Sequence, residues 1–388
     1  MLVYEYKLDG NQKQFAAIEE AIRVVQFIRN KCIRLWMDGD RINKNDLQIY
    51  CAVLAQEFPF ARRLNSQARQ ASADRAWFAI SRFYENCREH KPGKKGYPTF
   101  QHNNRSVEYK QTGWKLDDDG KHITFTDGCG IGRLRLVGNK KQKIETFPVK
   151  DMKRVRIVRC ADGYYAQFCV KTERKVEHIP SGKDLGIDVG LKSFLTDSEG
   201  TTVENPRHYR KAESKLKRLQ RRLSRKQKKS ANRKKARKAL AKQHLKVQRQ
   251  REDFARKQAN ALVSSHDLIA YENLAIRNMV RNRKLAKSIH DAGWGIFLQW
   301  LARYGFLHDI PVIAVPPHYT SQKCCECGTI VKKSLSIRTH ICHGCGVVLD
   351  RDQNAALNIL HKALSPDQNG TEGHSGTSEP VSRNASGH

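Results

Sequence analysis

The chain has 388 residues, which at about 150 residues per domain suggests two or three domains and a sizeable core. Its 72 Lys and Arg against 39 Asp and Glu leave a formal charge of +33. That self-repulsion calls for a negative partner, nucleic acid first and a membrane surface second. No apolar run reaches the ~18 residues of a spanning helix. The opening MLVYEYKLDG lacks the basic-then-apolar pattern of a secretion signal. These features argue against a membrane protein, a secreted protein and a small-metabolite enzyme with a neutral surface.

Residues 1–8 alternate like a short strand, through Leu2, Val3, Tyr4, Tyr6 and Leu8. From Asn11 the period changes. Phe15, Ile18, Ile22, Val25, Ile28, Cys32 and Leu35 fall three or four apart, which is one face of a long helix, stopped at Asp38-Gly39-Asp40. Helical pattern resumes from about Asn45 to Glu89, so residues 11–90 read as a helical bundle closed by the basic breaker HKPGKKG. Residues 97–175 read as strands in a small antiparallel sheet or barrel. Its clearest hairpin is VRIVRC, Ala161-Asp162-Gly163, YYAQFCV, and strand 1–8 is free to pair back onto it.

At Asp184 the texture changes. DLGIDVGLKSFLTDSEGTTVEN gives a short apolar strand and two more strand-like pieces. Residues 207–257 then hold 23 Lys and Arg against Glu213, Glu252 and Asp253, a net +20 with no Gly or Pro. Leu216, Leu219 and Leu223 make one helical stripe and Leu240, Val247 and Phe254 another. A break near Ser230-Ala231-Asn232 predicts two helices. HDLIAYENL and PVIAV read as buried strands. Residues 365–388 have almost no apolar content and read as disordered.

Of the 11 cysteines, Cys32, Cys51, Cys87, Cys129, Cys160 and Cys169 lie singly in apolar contexts, as small buried hydrophobes of a reducing cytoplasm do. The other five cluster. Cys324 and Cys327 form one C-x2-C pair and Cys342 and Cys345 a second, each followed by a glycine, Gly328 and Gly346. This is the spacing of a four-thiolate zinc ribbon. The zinc would be structural, because four thiolates leave no open position. Cys325 and His343 sit inside the knuckles and should point away.

Three acids lie at the ends of separate elements: Asp188 in LGIDVG, Glu272 after LIAY, and Asp352 in DRDQNAA. Each has a plain alternative: a turn residue, an ion-pair partner for a basic helix, and a helix N-cap. Together, in so basic a chain, they are better explained as ligands of two divalent cations for in-line phosphodiester hydrolysis. The basic stretch, including Arg221, Arg222, Arg225, Lys226, Lys228, Lys229, Arg233, Lys234 and Lys235, can follow a phosphate backbone without reading bases. A solvated helix face would show mixed signs.

GIDVGLKSF, the basic stretch, IAYENLAIRNMVRNRKLAKSIHDAGWG, YTSQKCCECG, HICHGCG and DRDQNAALNIL resemble, in order, the TnpB family of IS200/IS605-type transposons, relatives of the compact Cas12 effectors. The likeness covers about 184–364; earlier segments match in layout more than in motif. That resemblance implies a multidomain α+β fold, with a RuvC, RNase H-like α/β domain (179–320 and 350–364) and an inserted zinc ribbon (321–349). A helical recognition lobe (11–96) and a wedge β-barrel (1–10 and 97–178) would precede it. By the same resemblance, Asp188, Glu272 and Asp352 would be the catalytic residues and hold Mg2+, while Asp350 is not assigned to catalysis. Arg338, in LSIRTHIC, resembles the arginine that approaches the scissile region in relatives. His340-Ile341 stands where the family often has Trp-Thr, with no consequence expected for zinc. The activity implied by the family is RNA-guided cutting of double-stranded DNA beside a short motif. The partners would be a guide RNA from the transposon end and target DNA, in a prokaryotic, nucleoid-associated cytoplasmic setting. A nuclease-inactive RNA-guided repressor and a protein-only transposase are the alternatives.

Overall fold

The structure, a computed structural model, describes residues 2–138, 144–171, 176–334 and 337–365. The tail read as disordered lies outside them apart from Ser365. Two compact units divide the chain, Met1–Glu173 and Arg174–His388. Among the described residues no helix is long and apolar enough to cross a membrane.

In the first unit, β1 (Leu2–Asp9) buries Tyr4, Tyr6 and Leu8 and exposes the residues between them, as a strand with one covered face must. Then come α1 (Gln12–Asp38), α2 (Lys44–Glu57), α3 (Pro59–Arg63) and α4 (Ser66–Arg88). Asn11 opens α1 with a capping box: its side chain accepts from the Gln14 amide, and Gln14 accepts from the Asn11 amide, both at 3.0 Å. The expected stripe Ile18, Ile22, Val25, Ile28 and Cys32 is buried.

The strands β2 (Ser106–Tyr109), β3 (Trp114–Leu116), β4 (His122–Phe125), β5 (Gly132–Val137), β6 (Met152–Cys160) and β7 (Gly163–Val170) complete a seven-stranded sheet. Its order is β2-β6-β7-β1-β5-β4-β3, and every pairing is antiparallel. The first strand does pair back, between β5 and β7. The β6–β7 hairpin turns through Ala161-Asp162, with Cys160 opposite Gly163. β2 and β3 each have one paired side, so among the described residues the sheet is open and forms no closed barrel. One core joins helices and sheet, with Tyr109, Phe168, Ile18 and Leu47 fully buried.

The second unit contains β8 (Asp184–Val189), β9 (Ser193–Asp197) and β10 (Thr202–Glu204), an antiparallel meander. Next are α5 (His208–Ser224), α6 (Ala231–Ser265), β11 (Leu268–Glu272), α7 (Ile276–Met279), α8 (Ala286–Ala292), α9 (Trp294–His308) and β12 (Val312–Val315). A two-stranded ribbon, β13 (Thr339–Ile341) and β14 (Val348–Asp350), leads into α10 (Arg351–Leu364). The five-stranded sheet runs β10-β9-β8-β11-β12, with β8, β11 and β12 parallel.

Alternation along these strands sorts their side chains. Leu185, Ile187, Val189 and Ile269 join a core with Phe194 and Phe297, on the side of α6 and α9. Ala270 packs on Ile359 of α10, on the other side. Gly186, Asp188 and Glu272 share the parity of that second face.

Candidate active site

Asp188 follows Ile187, whose partner across the parallel pair is Tyr271; Glu272 follows Tyr271. The two carboxylates therefore stand side by side at the C-terminal ends of adjacent parallel strands. Open α/β sheets bind ligands at that end. The third carboxylate arrives through a close helix contact. A Cβ at Gly186 would sit 2.0 Å from the Ala356 carbonyl oxygen and 2.9 Å from Leu360 Cβ. Glycine thus lets α10 lie directly on β8. Asp352 is four residues before Ala356, one helical turn nearer the start of α10, and this brings it over Asp188.

The electrostatics agree with convergence. Burial pushes the Asp188 carboxyl well above the usual carboxylate range, and the neighbouring Glu272 and Asp352 push it further. Glu272 is also raised, by burial first, while a hydrogen bond from Thr320 and the charge of Lys362 draw it back. Asp352 is held by two arginines. Arg338 Nη1 lies 3.1 and 3.0 Å from its two oxygens, and Arg351 reaches Oδ1 through Nε at 3.2 Å and Nη2 at 2.9 Å. The helix cap is Asp350, whose Oδ1 accepts from the Asp352 and Gln353 amides at 2.8 and 3.3 Å. The capping role open to Asp352 on sequence alone is thus filled by its neighbour.

Sequence reasoning passed over Thr320, Asn354, Asn358, Arg351 and Lys362. The two asparagines lie four apart and are buried alongside Ala355, Ala356 and Ile359. Two amides on the apolar stripe of a helix are the signal that could have marked them.

In the ribbon, the Sγ atoms of Cys324, Cys327, Cys342 and Cys345 lie within 4.8 Å of one another. Cys324 and Cys345 are 3.7 Å apart and Cys327 and Cys342 3.5 Å. A tetrahedron with Zn–S of about 2.3 Å has edges of about 3.8 Å, so the donor set fits zinc. Both knuckles close alike: Cys324 N donates to Thr329 O and Gly328 N to Cys324 O, while Cys342 N donates to Val347 O and Gly346 N to Cys342 O. Gly328 and Gly346 take φ of +77° and +76°, a backbone that favours glycine. Cys325 is buried outside the thiol cluster, and burial raises its thiol to about 11. His343 is exposed.

The basic stretch forms a helical hairpin. Its seam is Leu216, Leu240 and Val247, with Leu219 and Leu223 against them. Phe254 leaves that seam and stacks edge-on against Phe194. Arg218, Arg221, Arg222, Arg225 and Lys226 line a hollow of about 410 Å3. Lys228, Lys229, Lys234 and Lys235 are exposed around the turn. Arg233 is spent otherwise, donating to the Leu223 and Lys226 carbonyls at 3.0 and 2.9 Å at the end of α5. The start of α5 is capped from elsewhere in the unit: buried Asp291 accepts from the Tyr209 and Arg210 amides at 2.7 and 3.0 Å.

Both the sequence and the fold match known proteins. Residues 167–283 match the family model OrfB_IS605, "Probable transposase", and residues 294–359 match the Cas12f1-like TNB domain. A Streptomyces pristinaespiralis protein described as "Putative RNA-guided DNA endonuclease" is 39% identical over 183 residues, 47% of this chain and 45% of that one. The Escherichia coli (strain K12) protein "Putative RNA-guided DNA endonuclease InsQ" is 31% identical over 273 residues, 66% of this chain and 65% of that one. The chain thus spans less than two thirds of the length of either relative. A cryo-EM structure of a Cas12f1–sgRNA–target DNA complex aligns with a TM-score of 0.53 at 14% identity, covering 92% of this chain and 82% of that one, a likeness of fold.

Proposed function

The chain belongs to the TnpB family of IS200/IS605-type transposons, and from that premise we propose that it is an RNA-guided DNA endonuclease. The observation that carries the reading is the meeting of Asp188, Glu272 and Asp352 in the same unit as a helical hairpin of almost unmixed positive charge. The hairpin would hold the sugar-phosphate backbone of a guide RNA and its DNA hybrid, while base pairing selects the target. The first unit would read the short motif beside the target as recognition lobe and wedge. The second would be the RuvC nuclease with its zinc ribbon.

The donor set suits hard divalent cations. Three carboxylates converge, and their repulsion adds to burial in raising Asp188. When bound, two Mg2+ would supply water activation and stabilisation of the leaving oxygen. The protein's own groups do the placing. Asp188 and Glu272 are fixed by a sheet register, and Asp352 by the seating of α10 on Gly186. Arg351 and Arg338 orient the Asp352 carboxylate. The Arg338 side chain, 37% exposed, stands beside the carboxylates where it would offset charge building on the phosphate oxygens.

Asp188→Ala, Glu272→Ala and Asp352→Ala should each abolish cleavage and keep binding of guide RNA and guided DNA, measured on the same preparations. Full cutting by any one of them would remove that residue from the site. An intact carboxylate set argues against a nuclease-inactive repressor. A protein-only transposase would keep its activity after its RNA is removed.

A further inference from the structure

The structure assigns a positioning role to Thr320 and Asn358: Asn358 of α10 pins Thr320 at the root of the zinc ribbon, and the Thr320 hydroxyl in turn orients the Glu272 carboxylate. This rests on the reading of Glu272 as a metal ligand.

Glu272 sits at a strand end with a long side chain, and its carboxylate has several rotamers to choose from. Thr320, 4% exposed, donates its hydroxyl to Glu272 Oε1. Thr320 is itself fixed from α10. Asn358 Nδ2 donates to the Thr320 carbonyl at 2.9 Å and to the Lys323 carbonyl at 2.7 Å. Asn354 Nδ2 also donates to Lys323 O, at 2.9 Å, and its Oδ1 accepts from Cys325 N at 3.1 Å. Lys362, one turn further along α10, reaches the carbonyls of Pro316 and His318. The segment that carries Cys324 is therefore pinned to the helix that carries Asp352. Holding a ribbon root to a helix needs only the backbone bonds that the asparagines make. The Thr320 hydroxyl does something more, because it reaches past the root to the carboxylate. Buried amides that take up backbone groups so fully leave the segment little freedom, and the hydroxyl inherits that rigidity. Groups that orient metal ligands in this way typically change metal affinity or activity by about 10–100-fold when removed.

The test uses the full chain with its bound RNA and Fe2+ as a probe ion. With ascorbate and peroxide, Fe2+ held by the carboxylates cuts the polypeptide nearby, so the readout is independent of DNA cleavage. Thr320→Val should raise the Fe2+ concentration for half-maximal cutting near residue 272 by about 10-fold or more. It should lower kcat for guided DNA cleavage with KM unchanged, and keep one zinc per chain. Thr320→Ser, which retains the hydroxyl, should return both readouts to near wild type. Asn358→Leu should shift Fe2+ dependence in the same direction with zinc retained. Wild-type Fe2+ dependence and kcat in Thr320→Val would overturn the inference, as would zinc loss in parallel with the defect. The reading beneath it is tested separately by Glu272→Gln. If that variant cuts DNA and responds to Fe2+ as wild type does, the site assignment falls. If it loses both while Thr320→Val changes neither, only the positioning role falls.

Discussion

Replacing Gly186 by alanine perturbs the active site without touching a charged group. An added Cβ would lie 2.0 Å from the Ala356 carbonyl oxygen, 2.9 Å from Leu360 Cβ and 3.0 Å from Leu360 N. Ordinary contact begins near 3.4 Å, so the helix would have to retreat by about 1.4 Å. Two of the three obstacles are backbone atoms in the middle of α10, and no side-chain rotation relieves them. Gly186 does not need a left-handed backbone, so the effect is steric alone. Overpacking of this kind costs about 1–3 kcal/mol and occasionally more. For a unit of this size each kcal/mol moves Tm by about 2–4 °C, which gives a drop of roughly 2–12 °C. Asp352 moves with α10, and a misplacement of about 1 Å can cost about 100-fold in rate. Calorimetry and guided cleavage on Gly186→Ala measure both. Gly295→Ala in α9 is the control. Its Cβ would meet only Ile276 Cδ1 at 3.9 Å, and it should leave Tm unchanged or slightly raised. A Gly186→Ala protein with wild-type Tm and cleavage would refute the seating of α10 on β8.

Three other sets of variants probe further contacts. Cys324→Ser, Cys327→Ser, Cys342→Ser or Cys345→Ser should each lose zinc by elemental analysis, whereas Cys325→Ser, whose thiol lies outside the cluster, should keep one zinc per chain. Asp350→Ala should cost about 1 kcal/mol as a lost helix cap and reduce cleavage far less than Asp352→Ala; equal loss from both would mean the cap is the wrong role. Asp267 accepts from the Ser181 and Gly182 amides at 2.8 and 2.7 Å and pairs with His178 at 2.7 Å, and these bonds, that to Ser181 first, hold its carboxyl well below the usual range. Because its folded pKa is depressed, this anchor persists above the unfolded value of about 4 and weakens as pH falls from there towards the folded one. Asp267→Ala should therefore lower the amide-exchange protection factors of residues 181 and 182 at neutral pH, while acidification should lower them in the wild type only below about pH 4.

Patterns of fixed period were legible in the sequence because burial alone writes them. The α1 stripe, the β6–β7 hairpin and the two halves of the basic stretch all appear where the periodicity put them. The knuckle cysteines were legible because four thiolates at that spacing have few other uses. Roles that depend on a partner far along the chain were not. Arg233 looks like one more phosphate contact until the end of α5 is seen beneath it. Asp350 and Asp352 are indistinguishable as acids beside a helix start, and only the backbone decides that the first caps and the second faces Asp188. Asn354 and Asn358 read as ordinary helix residues because the ribbon root they hold is 29 to 38 residues away in sequence. Whether the seven strands of the first unit close was also beyond pattern, since alternation marks a covered face and does not record what an edge strand meets.

In the proposed mechanism an RNA directs this carboxylate site to DNA. The most direct measurement is cleavage of a plasmid that carries a sequence matched to the co-purified RNA, beside an unmatched plasmid, by wild type, by wild type stripped of RNA, and by Asp188→Ala. Wild type alone should cut the matched plasmid, at a single position, with cutting abolished by RNA removal, restored by adding the RNA back, and absent in Asp188→Ala despite retained binding. Cutting that survives RNA removal, ignores the match, or persists in Asp188→Ala would contradict it.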